Sequence, residues 1–488
     1  MRFGIDFGTT RTVIAEVDRG NYPVVNLTDT LDDPREFVPT VAALSGGEIV
    51  CGWEAEALGG PNFVRSFKRL LAAPDASSDT PVYFGEESRP ISEVLATYAR
   101  HIVSQLEEYT DEEIEIVLGV PANARSAQRL LTLDAFRRAG ATVLGLVNEP
   151  SAAGFEYTHR HSRTLNTKRT SIIVYDLGGG TFDATLLRID GPRHIVELST
   201  GIARLGGDDF DDVLAGLALD PESIAAGIPT EQMDTIRQAK EAIKPQTRRI
   251  MLDFEGKEAV VPVAEFYGAA TPLVESTITA LQPLLGKQNT LKNTDIAGIY
   301  LVGGASALPL VPRMLRETFG RRVHRSPLPT ASTAVGLAIA ADPESEFHLT
   351  DRLARRIGVF REEDAGRTIS FDELVGPEDS SAHGEVIVTR NYQAVHNVGV
   401  FRFVEYSSLE DGSPGDFTVL AEISVPFAQN LRYVDDLSQV EVTRREFGPQ
   451  VEETIKVDSD GVAHITIALD DGYAVSVTAE VGEQPATR

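Results

Sequence analysis

The chain has 488 residues, 42% hydrophobic and 24% charged, so it reads as globular and is too long for one hydrophobic core. Its formal charge of −28 argues against nucleic acid and anionic membrane surfaces as partners. Cys51 is the only cysteine, which excludes an internal disulfide and a cysteine-built metal site.

Met1-Arg2 runs straight into Phe3-Gly4-Ile5-Asp6 of the first motif with no leader-like segment, and no apolar run reaches the roughly 20 residues of a membrane span. A cytoplasmic protein is expected. Residues 1 to about 165 mix short β-branched runs with amphipathic stretches, and Arg125–Arg138 reads as a helix. The alternation repeats from about 170 to 340, with strands at Ser171–Tyr175 and Gly298–Val302 and helices at Glu231–Lys244 and Leu310–Phe319. This is an α/β pattern. Ala341 to Glu346 is acidic, contains a proline and reads as the start of a linker.

Period-two segments follow at Glu385–Arg390, Val398–Tyr406, Phe417–Val425, Val440–Arg444, Glu453–Val457, Val462–Leu469 and Tyr473–Val481. Asp411-Gly412, Asp460-Gly461 and Asp471-Gly472 supply turns between strands. The spacing predicts an all-β, sandwich-like domain. The division expected is therefore 1–340, a linker over 341–352, and 353–488.

An internal repeat joins the two halves of the first 340 residues. Phe3-Gly4-Ile5-Asp6-Phe7-Gly8-Thr9-Thr10 and Ile173-Val174-Tyr175-Asp176-Leu177-Gly178-Gly179-Gly180-Thr181 each bring an Asp on an apolar strand to a Gly/Thr turn, and strand-like residues follow. Glycine turns aim backbone N–H groups into a concavity, as phosphate binding requires. Two such hairpins facing each other would grip a polyphosphate, and an Asp on each side calls for a cation held through water. Neither Gly256-Lys257 nor Gly286-Lys287 is followed by Ser or Thr, so a P-loop is excluded. The turns lead into strands, so a dinucleotide fingerprint fails as well. His159 and His161 flank Arg160 in a polar stretch that reads as a solvated loop.

The motifs resemble those of the seventy-kilodalton heat-shock (DnaK-type) chaperones. The two hairpins resemble its phosphate loops, and Ser66 to Leu71 the segment with its catalytic lysine. Val120-Pro121-Ala122 and Asn148-Glu149-Pro150 resemble its connecting segments, and Leu205 to Asp211 and Leu301 to Gly304 its nucleoside-binding segments. The resemblance implies an actin-like ATPase fold of duplicated ribonuclease-H-like lobes. Gly8, Thr9, Thr10, Arg11, Gly178, Gly179, Gly180 and Thr181 would contact phosphates. Asp6, Glu149 and Asp176 would hold Mg2+ through water. Lys68 would approach the γ-phosphate, with Glu149, Asp176, Thr181 and Asp183 completing the catalytic set. Gly207, Lys240, Lys244, Gly303 and Gly304 would border the nucleoside of ATP or ADP.

The same resemblance implies a stress-response chaperone, a monomer that couples ATP hydrolysis to binding of unfolded or partly folded segments, with co-chaperones as possible partners. Several positions depart from it. Ala307 and Glu241 stand where the family places arginines that stack on adenine. Gly145 stands where an arginine used with J-domain partners is common. The helical lid is expected to be absent, and the linker carries Glu346 to Asp351 in place of an apolar run. Pro121 and Arg129 match the family's interdomain relay. The alternative is a nucleotide-gated scaffold for one dedicated partner.

Overall fold

The computed structural model describes the chain apart from residues 74–75, 122–123, 125, 162–164, 166–167, 191–192, 203, 226, 255–256, 289–290, 292–294, 346–355, 364–367, 377–385, 409–413, 435, 458–461 and 481–488.

Strands β1 (Arg2–Phe7) and β2 (Arg11–Glu16) form an antiparallel hairpin around the first Gly/Thr turn. The two-residue β3 (Val38–Pro39) flanks β2. On the other side β4 (Glu115–Val120) runs parallel to β1, and β5 (Thr142–Asn148) parallel to β4. Phe3, Ile5 and Phe7 are buried on one face with Tyr98 of α1 (Ile91–Tyr109) and Phe136 of α2 (Ser126–Arg138). Helix α3 (Glu149–His161) leaves directly from the end of β5.

The second half repeats the plan. β6 (Ser171–Leu177), β7 (Phe182–Asp190) and β8 (Arg193–Ile202) are antiparallel neighbours. β9 (Ile296–Val302) and β10 (Val323–Arg325) lie parallel on the far side of β6. Helices α4 (Gly207–Ala218), α5 (Thr230–Glu241) and α6 (Leu310–Phe319) cover this sheet. The expected helix over Glu231–Lys244 ends at Glu241. Pro245 disfavours helical geometry at Lys244, whose N–H is taken by Thr247 Oγ1 at 2.9 Å.

Helix α7 (Ser332–Ala341) is apolar or small on every face and wholly buried. A Cβ added to Gly336 would sit 1.8 Å from the Ala152 carbonyl oxygen of α3, and one on Gly4 2.1 Å from the Ala338 nitrogen. These glycines let α7 wedge between α3 and β1.

The last third is a pair of stacked sheets, as the alternation predicts. One holds β11 (Ile357–Glu363), β12 (Thr368–Val375), β14 (Val398–Ser408) and β15 (Pro414–Pro426). The other runs β13 (Val386–Gln393), β16 (Gln450–Val457), β17 (Val462–Leu469), β18 (Ala474–Glu480). Val359, Phe401, Phe403 and Ile423 meet Ile455, Ile465 and Ile467 between them. Sequence pattern misses β11 and β12, where Gly358 and the charged Arg361-Glu362-Glu363 break the apolar rhythm. It also predicts a strand at Val440–Arg444, but this stretch is irregular and only Arg444 bridges, to His396. The Asp411-Gly412 and Asp460-Gly461 turns lie outside the described residues; Gly472 takes a φ of 88° in the third.

The two parts share a sheet. β15 pairs antiparallel with β5 (Gly145 with Thr418, Leu146 with Phe417), giving nine strands in the order β12-β11-β14-β15-β5-β4-β1-β2-β3. Phe360, Val404, Tyr406, Phe417 and Val419 join the same buried cluster as Phe136, Val143 and Leu146. The junction resembles a domain core more than a surface contact.

Candidate functional site

The site lies where the two Gly/Thr hairpins meet. The Gly8 N–H donates to the Asp6 carbonyl at 3.0 Å, and the Gly178 N–H to that of Thr181 at 3.0 Å. A Cβ on Gly179 would fall 2.6 Å from Thr10 Cγ2, so the two turns already touch. α4 begins against the second turn, with Gly207 N–H donating to Gly178 at 2.9 Å and Asp208 N–H to Gly179 at 2.7 Å. A Cβ on Gly206 would lie 2.5 Å from the Gly180 nitrogen. Glycine is required here because backbone packs directly on backbone.

Carboxylates converge beneath. Asp6 is pushed up to about 7 by burial and by repulsion from Glu149, with Lys68 opposing. Asp176 is raised well above the usual carboxylate range by burial, Glu149, Asp6 and Asp183. Asp183, in register with Asp176 across β6 and β7, is pushed up to about 7 by burial and Glu149. Thr181 opposes that shift through a hydrogen bond to the Asp183 side chain. One field therefore connects the four carboxylates from three separate segments, and it calls for positive charge. Among the described residues no three carboxylate or imidazole groups are close enough to form a direct metal shell. Oxygen donors set back in this way suit a hydrated Mg2+.

Lys68 supplies one cation. Ser66, at φ 54°, turns the chain into a short 3-10 helix over Phe67–Ala72 that drops the lysine inward. Its ammonium donates to the Phe7 carbonyl and stands 3.6 Å from Glu149 Oε1, with 4% of the side chain exposed. A lysine this buried needs charged partners, and the Glu149 and Asp6 carboxylates supply them.

On the side expected to border the nucleoside, lysines and glycines come from three segments. Lys240 is buried, paired with Asp211 at 2.7 Å and donating to the Gly207 carbonyl at 2.7 Å. Lys244 lies exposed beyond the end of α5. Gly303 has a φ of 82°, and a Cβ there would meet Asp176 Oδ1 at 2.2 Å, while Gly304 opens a short 3-10 turn through Ala307. The Arg11 guanidinium reaches across to Glu241, 2.8 and 2.9 Å from its two oxygens.

Other ion pairs across the cleft escape sequence reasoning. Arg65 contacts both oxygens of Asp234 at 3.0 and 3.1 Å, and Arg69 pairs with Asp208 at 3.3 Å. Arg237 links Asp234, Asp211 and Asp208 on the second side. In sequence each looks like an ordinary solvated charge; only the approach of the two sides pairs them.

A second feature lies in the β-domain. β11 and β14 pair from Ile357–Glu405 to Val359–Phe403 and their pairing stops there. Beyond it, the backbones of 360–363 and 398–402 are not paired with one another. Phe427 fills the space over Gly399, its ring 2.4 Å from where a Cβ would be. Below, Arg361 binds the wholly buried Glu453 at 2.7 and 3.0 Å and Asp372 at 3.0 Å, and Tyr392 donates to Glu453 at 2.8 Å.

A family model described as Hsp70 protein matches residues 2–353. The chain belongs to the Hsp70 family, whose members are ATPases that bind ATP or ADP with Mg2+ and act as chaperones on client proteins. Among curated relatives, the "Chaperone protein HscA homolog" of Vibrio vulnificus is 28% identical over 497 residues, 95% of this chain and 75% of that protein. The "Chaperone protein HscA" of Serratia proteamaculans is 28% identical over 513 residues, 98% of this chain and 77% of that one. No helix among the described residues is long and apolar enough to cross a membrane.

Proposed function

We propose that this protein is an ATP-hydrolysing chaperone acting in the cytoplasm. In this reading residues 1–340 form an actin-like pair of ribonuclease-H-like lobes, 341–352 a linker, and 353–488 a peptide-binding β-domain. The observation that carries it is the contact of Thr10 with Gly179 above the carboxylates Asp6, Glu149, Asp176 and Asp183. Such an arrangement would let the remaining N–H groups of both turns reach phosphate oxygens.

Asp6, Glu149 and Asp176 would hold Mg2+ through its waters; the ion would neutralise phosphate charge. Lys68 would exchange its carbonyl contact for the γ-phosphate. Asp183, carrying Thr181 on its carboxylate, would orient the attacking water and accept its proton. Chemistry of this kind works by positioning and charge neutralisation.

Extended apolar segments of client proteins would enter the slot between β11 and β14, where unpaired strand edges offer backbone hydrogen bonds. A continuous line supports coupling. Asn148, next to Glu149, accepts from the buried Arg129 of α2 at 2.9 Å, and Asp134 further along α2 pairs with Arg402 beside the slot. Family membership favours this reading over a dedicated scaffold. The test is ATP turnover with and without an unfolded polypeptide, in the native protein and in Asp176→Asn. A basal rate unchanged by the substitution would sink the site, and no response to polypeptide would sink the coupling.

A further inference from the structure

α3 begins at Glu149 in the carboxylate cluster and ends about 18 Å away by helix rise. There His159, Arg160 and His161 meet Arg325, the last residue of β10, and Pro327 around an open recess of about 580 Å³. Every ionisable side chain lining it among the described residues is basic. This is unexpected in a chain with 73 acidic against 45 Lys and Arg residues.

The lining side chains are held in place. Glu156, wholly buried one turn earlier, accepts from Tyr300 and pairs with Arg160, fixing that guanidinium at the rim. The His161 ring packs against Tyr157, Tyr300 and His324 with centroids 5.1, 5.9 and 6.0 Å apart. The His159 ring meets Tyr22 edge-on at 5.5 Å. Arg160 is balanced by Glu156, but Arg325 is exposed and has no carboxylate partner among the described residues. The exposed Arg325 guanidinium thus stands beside the anchored Arg160 and the His159 ring, a grouping that favours negative charge.

We propose that this recess binds a compact oxyanion, a phosphate or carboxylate group, with Arg325 and Arg160 supplying charge and the exposed His159 ring supplying an N–H donor. The group could belong to a free small anion or to an acidic side chain on a bound polypeptide, and the chemistry of recognition is the same.

None of the cleft residues is a histidine, so imidazole NMR reports this recess without interference. The full-length protein, saturated with ADP and Mg2+, is titrated with inorganic phosphate and separately with pentaglutamate, against chloride at matched ionic strength. Saturable shifts of the His159 and His161 resonances are expected from at least one oxyanion, with binding about tenfold weaker in Arg325→Glu. Tighter binding of phosphate points to a free anion, and tighter binding of pentaglutamate to a polypeptide; both support the site. Equal shifts from chloride, no saturable shift, or identical titrations in Arg325→Glu would overturn it. Arg325 makes no ion pair among the described residues, so the variant should fold and turn over ATP normally, and His101 and His464 should not move.

Discussion

Arg402 of β14 pairs with Asp134 of α2, and the same guanidinium lies 3.3 Å from Glu422 of β15, which takes Arg137 of α2 in turn. This quartet sits over the apolar junction formed by Phe417, Tyr406 and Phe136. Burial pushes Arg137 down to about 10, with the charge of Arg402 adding to the effect. Ion pairs at the margin of an apolar seam fix alignment more than they add stability.

Arg402→Ala should leave Asp134 with only the more distant Arg138, 3.6 Å away, and destabilise the protein by about 1–2 kcal/mol. Chemical denaturation is the measurement. A midpoint equal to that of the native protein would show that the two parts do not depend on this seam.

Lys68→Ala should slow single-turnover hydrolysis by about a hundredfold or more while ATP still binds, because the lysine faces the phosphate end of the cleft. Equilibrium binding by calorimetry, measured beside the rate, separates the two effects. Loss of binding together with rate would instead make Lys68 a ground-state contact.

pH should act on the metal-free protein through Asp6 and Asp183. Both carboxyls are raised to about 7, above the value of about 4 expected in the unfolded chain. Each then contributes stability that is fully present below pH about 4 and is lost as pH rises through about 7. In EDTA the native protein should lose stability relative to Asp6→Asn/Asp183→Asn as pH climbs through this window, and ADP with Mg2+ should reverse the loss. A difference between the two proteins that does not vary with pH would contradict the shared field.

Arg11→Ala should release ADP faster. The pair with Glu241 spans the cleft but is partly exposed, so its worth is about 0.5 kcal/mol and the acceleration roughly twofold. Stopped-flow release of a fluorescent ADP, with Glu241→Ala and the double variant, tests it. Additive effects would mean that the two residues are not coupled in solution.

The hairpins and carboxylates were legible in the sequence because each turn is local: Asp6 and Gly8, or Asp176 and Gly178, are neighbours whose geometry a few residues determine. The alternating strands of the β-domain were legible where one face is apolar. β11 hid because Arg361 points into the sandwich to reach Glu453, so a charge stands at a core position. Val440–Arg444 alternates, yet Asn397 takes its backbone instead, donating to Glu441 and accepting from Thr443. The Arg65–Asp234 pair and the joining of β5 to β15 depend on which surfaces meet, and no local pattern encodes that. Gly145 stood out only as the loss of an arginine, whereas in the fold it is the residue facing Thr418.

The pairing of β5 with β15 also sets an order of events during synthesis. β5 leaves the ribosome early, with Gly145 and Leu146 on an edge that stays open until residues 414–426 are made. At ordinary elongation rates that interval is on the order of tens of seconds. An uncovered strand edge beside Val143 and Phe136 invites pairing with other chains. Until its last third emerges, the nascent protein presents the kind of extended apolar segment that chaperones bind.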